Sequence, residues 1–306
     1  MRLKKKFNVL FLGGIKRIGL ARKFLQFSKK KNLVMKIYSY ELKHLKLNTR
    51  LITPVNGLKW SSKKIFCDLK KKISQLNIKL VVANTDEATI VLSKLKYLKS
   101  CSLVSDFEST AKSFNKEKIN NILKNYKINT TSSIKGFPTI VKPKFGANSK
   151  SISIIYNRND MKKFNKKKYI FEKFLKGTEY SVDCYISPKY GTMGIIPRVR
   201  NEITGGEATI TTTENNNTII NITKKIIKIM KYIGPINIQF IKYKKKYYFM
   251  EANPRLSGGI LAAIKAGLNV PKLMIKDILN IKQQKIKKIK KIKMYKYFTE
   301  FYENNN

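Results

Sequence analysis

Histidine and cysteine, the side chains most often used for nucleophilic and metal chemistry, are scarce in this sequence: one histidine and three cysteines among 306 residues. The histidine, His44, stands in ELKHLKLN and reads as a surface residue rather than a ligand or base. Cys67, Cys101 and Cys184 lie far apart without CxxC or zinc spacing, which excludes a dithiol motif and reads as buried thiols of a reducing compartment. No apolar run is long enough to span a bilayer. The N-terminal MRLKKKFNVLFLGGI imitates a secretory signal, but Lys16 and Arg17 interrupt it early and no small-residue cleavage site follows. It reads as the first β-strand of a cytoplasmic protein.

Acidic residues are also few, 18 against 65 basic ones, for a formal net charge of +47. Such a balance ordinarily points to a nucleic-acid partner through phosphate neutralisation. Here only eight of the 65 are arginines, which leaves 57 lysines spread along the whole chain beside abundant Asn and Ile. That distribution reads as compositional drift of the kind an AT-rich genome produces, and not as a basic stripe. Weak, salt-sensitive binding to polyanions is expected and specific nucleic-acid recognition is not. The hydrophobic fraction of 42% is adequate for a globular protein, and the length allows two or three small cores.

Residues 7 to about 105 alternate strand-like and helix-like segments, which predicts a doubly wound α/β domain over residues 1–105. FNVLFLG is a first strand, Gly13, Gly14 and Gly19 mark the turn into a helix at 17–30, and LVMKIYSYE is a second strand. A helix at 63–76 then leads into IKLVVANTDE. The glycines do not spell GxGxxG, and although Glu41 stands near where a ribose-binding acid occurs in dinucleotide sites, a tight βα turn is the better reading. Open α/β sheets bind ligands at the carboxyl ends of strands. Asp86 is therefore a candidate for substrate contact, with a helix N-cap as the equal alternative.

The densest chemistry lies further on. In GPINIQFIKYKKKYYFMEANPRLSGG, residues 234–259, two strands flank the lysine run 244–246 and predict a β-hairpin. Glu251 and Asn253 are two apart and share a face; with Gln239 on the partner strand, one carboxylate and two amides can converge on a hard divalent cation. Arg255 follows with a planar fork suited to phosphate or carboxylate. Taken alone, strand capping by Glu251 and Asn253, with Arg255 paired to Glu251, is an equal alternative. In FPTIVKPKFGANSKSISII, residues 137–155, a strand ends at Lys142 and Pro143 before a loop of small and polar residues. Backbone N–H groups of Gly146, Ala147, Asn148, Ser149 and Ser151 can approach phosphate oxygens there, with Lys142 and Lys150 supplying charge. IFEKFLKGTEYSVD, residues 170–183, presents a carboxylate, an apolar pair, a glycine turn and a second carboxylate entering a strand.

In order and chemistry these three segments resemble the nucleotide site of the ATP-grasp superfamily, from about Lys116 to Gly259. The resemblance implies an ATP-grasp fold of two α+β lobes over 106–280, the small lobe near 125–180 and the large one near 181–280, after the leading doubly wound domain. It implies that Lys142 contacts the nucleotide phosphates with Ser149, and that Lys116, at a helix start, does the same. Asn115 stands where the family usually has aspartate, and Lys118 is the rival position. Glu172 would lie near the adenine amino group, the main chain of Lys173 and Leu175 along the adenine edge, and Glu179 on the ribose hydroxyls. Gln239, Glu251 and Asn253 resemble the magnesium ligands, with Mn2+ as the alternative ion. The spellings NIQF and EANPR are similar to carbamoyl phosphate synthetase large subunits.

The implied reaction is phosphoryl transfer from MgATP to a small carboxylate, followed by attack of an amine on the acyl phosphate, with Lys142 and Arg255 as catalytic cations. A carbamoyl phosphate synthetase-like or biotin carboxylase-like subunit is one alternative, and a basic polyanion-binding protein with a degenerate nucleotide site is another. Arg198 and Arg200, in PRVRNEITGGEATITTT at 197–213, join Asp86 as candidate substrate contacts, against a reading of that segment as an exposed, charge-paired loop. ILAAIKAGLNVPKLMIKDIL predicts a helix behind the metal strands. Residues 281–306 form a basic low-complexity segment whose MYKYFTEFY portion predicts a closing strand. No membrane or specific nucleic-acid partner is expected, and a homodimer is compatible with the chain.

Overall fold

Short apolar strands separated by amphipathic helices return in the same direction and pair in parallel. In the computed structural model, which describes residues 5–42, 51–95, 98, 100–146 and 152–297, the first part of the chain does this. Its elements are β1 (Lys5–Lys6), β2 (Asn8–Leu12), α1 (Ile18–Lys30), β3 (Leu33–Val34), β4 (Ile37–Glu41), β5 (Thr53–Asn56), α2 (Ile65–Gln75), β6 (Ile78–Ala83) and α3 (Asp86–Lys94). The main sheet runs β5-β4-β2-β6, all parallel, and β1 pairs with β3 separately. Phe7, Val9, Phe11, Leu80 and Val82 pack with α1, while Leu10, Leu12 and Val81 pack with α2 and α3. His44 lies outside the described residues. Of the three thiols expected to be buried, Cys184 is, Cys101 is partly covered and Cys67 is exposed. Cys67 sits two residues from each of the inward-facing Ile65 and Leu69 on α2, and so points off that helix's buried face.

Next come α4 (Phe107–Phe114), α5 (Lys116–Asn125), β7 (Thr139–Pro143), β8 (Ser153–Ile155), α6 (Arg158–Lys162) and β9 (Tyr169–Lys173), with an antiparallel sheet β8-β7-β9. The largest sheet is antiparallel, in the order β14-β13-β10-β11-β12-β15. It comprises β10 (Thr178–Ser187), β11 (Gly191–Thr204), β12 (Glu207–Thr213), β13 (Gly234–Tyr243), β14 (Lys246–Asn253) and β15 (Lys293–Tyr295). Helices α7 (Asn217–Met230), α8 (Ile260–Ala266) and α9 (Val270–Ile278) complete it.

Period-two alternation sorts this sheet into two unlike faces. Val182, Cys184, Ile195, Ile238, Phe240, Phe249 and Ala252 form one core with α5 and α7. The other face carries Glu179, Ser181, Asp183, Arg198, Arg200, Asn237, Gln239, Glu251 and Asn253, by the registers Ser181↔Arg198, Ser181↔Gln239, Gln239↔Glu251 and Asn237↔Asn253. A bulge makes this sorting possible. Gln239 faces Glu251 but Phe240 faces Phe249, so Met250 is the extra residue that sends Phe249 to the core and Glu251 to the polar face.

Three expectations change here. The stretch after Gly259 is two helices, broken at Gly267 with φ +128° and restarted at Val270 with Pro271 in the first turn, and it packs with α1, Tyr185, Met193 and Ile196 instead of behind β13 and β14. The backs of those strands are already filled by α5 and α7. Residues 197–213 are not an exposed loop but the paired ends of β11 and β12, joined at Gly205–Gly206 with φ +58° and +81°. The lysine-rich segment is stitched down: Ile286 N–H donates to Met193 O at 2.9 Å, Lys290 N–H to Ala266 O at 3.0 Å, and Thr213 N–H to Ile292 O at 2.8 Å. Ile286, Ile289 and Ile292, every third residue, pack on the core while Lys285, Lys287, Lys288, Lys290 and Lys291 face solvent. The expected closing strand is seen over Lys293–Tyr295, paired with β12; residues 298–302 lie outside the described part.

Candidate active site

Pairing of β7 with β9 puts Lys142 and Glu172 on one side of the small sheet, and their side chains meet at 2.7 Å. Glu172 is almost fully buried and accepts two further hydrogen bonds, from Asn120 Nδ2 at 2.9 Å and Thr131 Oγ1 at 2.7 Å. A buried carboxylate requires such partners, and this set leaves room for one more donor, as an exocyclic amine would be. Phe174 N–H donates to Pro138 O at 2.9 Å, so by alternation Lys173 and Leu175 turn their main-chain groups away from β7. The Lys173 ammonium itself donates to Phe137 O.

Asn115 caps α5, accepting from Lys118 N–H at 3.0 Å, so asparagine does here what aspartate does in a cap. Lys116 in the first turn reaches Gly146 O at 2.6 Å, at the mouth of the small-residue loop, while Lys118 is exposed. Burial lowers the Lys116 amine below the ordinary lysine range, with Glu251 opposing the shift and Lys142 adding to it. Ser149, with Ala147, Asn148, Lys150 and Ser151, lies outside the described residues.

On the polar face, Glu251 Oε1 accepts from Gln239 Nε2 at 2.7 Å and from Asn253 Nδ2 at 2.9 Å. Glu179 accepts from Arg200 at 2.7 Å, and the same Arg200 nitrogen donates to Gln239 Oε1 at 2.9 Å. Arg200 thus joins the residues assigned to ribose and metal. Among the described residues no group of three or more His, Cys, Asp or Glu could form an all-protein metal cage. One carboxylate with two amides fits Mg2+ that is shared with phosphate oxygens, because that ion keeps few protein ligands. Arg198 is enclosed, held by Asp183 at 2.8 Å, Thr211 at 3.4 Å and Ser257 at 3.1 Å, with Asn237 bonding Asp183 at 2.9 Å from the other side.

Arg255 leaves the end of β14 and pairs with Asp86, which stands in the first turn of α3. Asp86 is not that helix's cap; Thr85 is, accepting from Ala88 N–H at 3.2 Å. Burial raises the Asp86 carboxyl above the usual carboxylate range, and Arg255 opposes the shift. Glu41 accepts from Gly14 and Ile15 N–H at 3.0 and 2.9 Å, so the βα turn is closed by its own carboxylate. Sequence reasoning passed over Asn120, Thr131, Asp183, Asn237 and Arg17. Only the scarcity of arginine signalled the last.

Residues 165–301 match the family model described as "ATP-grasp in the biosynthetic pathway with Ter operon". A carbamoyl phosphate synthase large chain from Caldanaerobacter subterraneus subsp. tengcongensis is 27% identical over 220 residues, 60% of this chain and 20% of that one. By the matched model and these relatives, this chain is similar to ATP-grasp ligases related to carbamoyl phosphate synthase. Structural likeness extends over nearly the whole chain. N5-carboxyaminoimidazole synthetase from Staphylococcus aureus, complexed with ADP, superposes with TM-score 0.72 at 16% identity, covering 95% of this chain and 82% of that one. An L-amino acid ligase from Bacillus licheniformis gives TM-score 0.70 at 15% identity, covering 90% and 75%. The chain spans about a fifth or less of the curated relatives it matches, 13% to 20% of their length.

Proposed function

We propose that this chain is an ADP-forming ATP-grasp ligase that activates a small carboxylate with MgATP and joins it to an amine. The observation that carries the reading is that Lys116 on α5 lies within electrostatic reach of both the Lys142–Glu172 pair of the small sheet and Glu251, which with Gln239, Asn253 and Glu179 lines the polar face of the large sheet. Glu172 and the main chain of Lys173 and Leu175 take the adenine, Glu179 the ribose, and Lys116 and Lys142, with Ser149, the phosphates. Gln239, Glu251 and Asn253 would hold Mg2+ or Mn2+, which would offset charge on the terminal phosphates. A substrate carboxylate oxygen attacks the γ-phosphorus and the bridging oxygen leaves with ADP, while Arg255 and Lys142 neutralise the oxygens that gain charge. The amine then attacks the acyl carbon, phosphate leaves with the bonding electron pair, and the amine proton passes to solvent. Arg200 holds Glu179 and Gln239 in place, and Asp86 positions Arg255.

The parallel N-terminal sheet with helices on both faces supports a doubly wound leading domain over 1–105, ahead of ATP-grasp lobes over 106–280. A carbamoyl phosphate synthase-like subunit, with bicarbonate as the carboxylate, is the second reading, favoured by the relatives above. A cytoplasmic setting, and a homodimer, agree with both. Hydroxylamine should replace the amine, trap a hydroxamate and sustain ADP release with the correct acid, and Glu251→Gln should lower that rate by about 100-fold or more. Phosphate found on a protein side chain would count against the ligase.

A further inference from the structure

The short segment after β14 gathers three guanidinium groups. Arg255 donates to Leu256 O at 3.3 Å, Arg17 donates to the same Leu256 O at 3.3 Å and to Ser257 O at 2.9 Å, and Arg198 donates to Ser257 Oγ at 3.1 Å. Two of these cations therefore share one carbonyl oxygen, an arrangement that like charges resist unless counter-charge is near. Counter-charge is present for the others. Arg198 has Asp183, Arg255 has Asp86, and the neighbouring Glu207 has Lys296.

Arg17 has none. Among the described residues no carboxylate lies within ion-pair distance of it, and its remaining contact is with Asn84 Oδ1 at 3.4 Å. It immediately precedes α1, where it offers no side-chain cap, so the partial positive charge of a 13-residue helix adds to its own. Glu41, at the end of β4, is spent on the Gly14 and Ile15 amides. Burial accordingly lowers the Arg17 guanidinium below its usual range, with Arg255 pushing the same way and Glu207 opposing. Part of the side chain remains exposed, and its NH1 nitrogen makes no hydrogen bond among the described residues, so a ligand can reach a free edge of the fork.

We propose that Arg17, contributed by the leading domain, is a specificity-determining residue that binds the carboxylate of the acceptor acid beside Arg255. The assignment rests on the ligase reading for its substrate class. Its geometry would let the acid's oxygens span two guanidinium forks, the arrangement in which arginine outperforms lysine. The main-chain bonds to Leu256 and Ser257 then fix the position of the fork relative to the metal strands.

The test is a thermal-shift titration of the full chain with sodium acetate, glycine, β-alanine, succinate and bicarbonate at constant ionic strength, each with and without MgADP. At least one acid should stabilise the wild type. Arg17→Met should weaken that acid by about tenfold or more, the loss expected of a charge-assisted hydrogen bond, while MgATP affinity stays within about twofold. Should Arg17→Met fail to fold, Arg17→Lys, which keeps the charge and loses the fork, is held to the same criterion. Unchanged acid affinity in the variant, equal losses for acid and MgATP, or no stabilisation of the wild type by any acid in either condition would each overturn the proposal. The ligase reading fails on a different result, the absence of ADP release with an acid that binds, and the titrations without nucleotide still decide the role of Arg17.

Discussion

Glu172 is the carboxylate whose surroundings constrain the chemistry most. Lys142 neutralises it in a nearly dry environment, so the two residues are one unit for stability and, on the proposed reading, for ATP binding as well. Removing the cation alone strands a buried charge; Lys142→Met should therefore cost about 3 kcal/mol in urea unfolding and weaken MgATP. Adding Glu172→Gln should restore most of the stability and none of the ATP affinity, and recovery of both would show that Lys142 does not touch the nucleotide. Lys116 makes the pH prediction. Its amine is lowered by burial, so it discharges below the ordinary lysine range and MgATP affinity should fall on the alkaline side sooner than for an exposed lysine. A lowered lysine pKa also means that the fold favours the neutral form, so its contribution to stability rises as pH climbs from the folded to the ordinary value. Lys116→Arg should move the alkaline limb upward in an ATP titration.

At the scale of elements, the β13–β14 hairpin decides whether Gln239, Glu251 and Asn253, the proposed metal triplet, come together. Its turn residues Lys244 and Lys245 both have positive φ, +45° and +63°, which matches a two-residue turn of the primed type. The bulge at Met250 matters more. Without it Glu251 would share the face of Phe249, since residues two apart lie on one side of a strand. Deleting Met250 outright instead removes the extra residue and makes Phe249 and Glu251 neighbours on opposite faces, so the deletion variant should keep Phe249 buried and still bind MgATP. Phe249→Ala should instead cost about 3 kcal/mol or more in urea unfolding, as truncating a buried phenylalanine does. Loss of MgATP binding by a folded deletion variant would show that the bulge itself shapes the site.

For the whole molecule, one core joins the leading sheet to the large antiparallel sheet: Phe11, Phe24 and Ile37 meet Tyr185, Leu256 and Met274 without interruption. Arg17 and Asp86 extend that continuity to the polar side, tying the leading sheet to the residues just beyond the metal strands. A ligand bound only by the folded state should stabilise this joined body by mass action, so MgATP at about 100 times its Kd should add about 2.7 kcal/mol at physiological salt. Binding to a polyanion, driven by scattered lysines, should instead fade steeply as salt rises. The reverse pattern, no response to MgATP and tight binding to nucleic acid at high salt, would favour the binding-protein alternative.

The sequence by itself determined what depends on neighbours along the chain. Alternation in NIQFIKY and KYYFMEAN marked the strands, and the two-residue spacing of Glu251 and Asn253 put them on one face with Gln239. What it left undecided depends on register and on contacts distant in sequence. Asp86 read equally as cap or substrate contact until the pairing with Arg255, 169 residues away, was seen. The helix expected behind the metal strands went elsewhere because α5 and α7 had filled that face. The isoleucine-lysine segment read from composition as a basic low-complexity segment, yet its three-residue period lets isoleucines enter a core that only the assembled sheets create. Arg17 gave least warning of all. A lone arginine before a helix has no local partner to betray it, and its significance comes only from a balance of charges brought together by the fold.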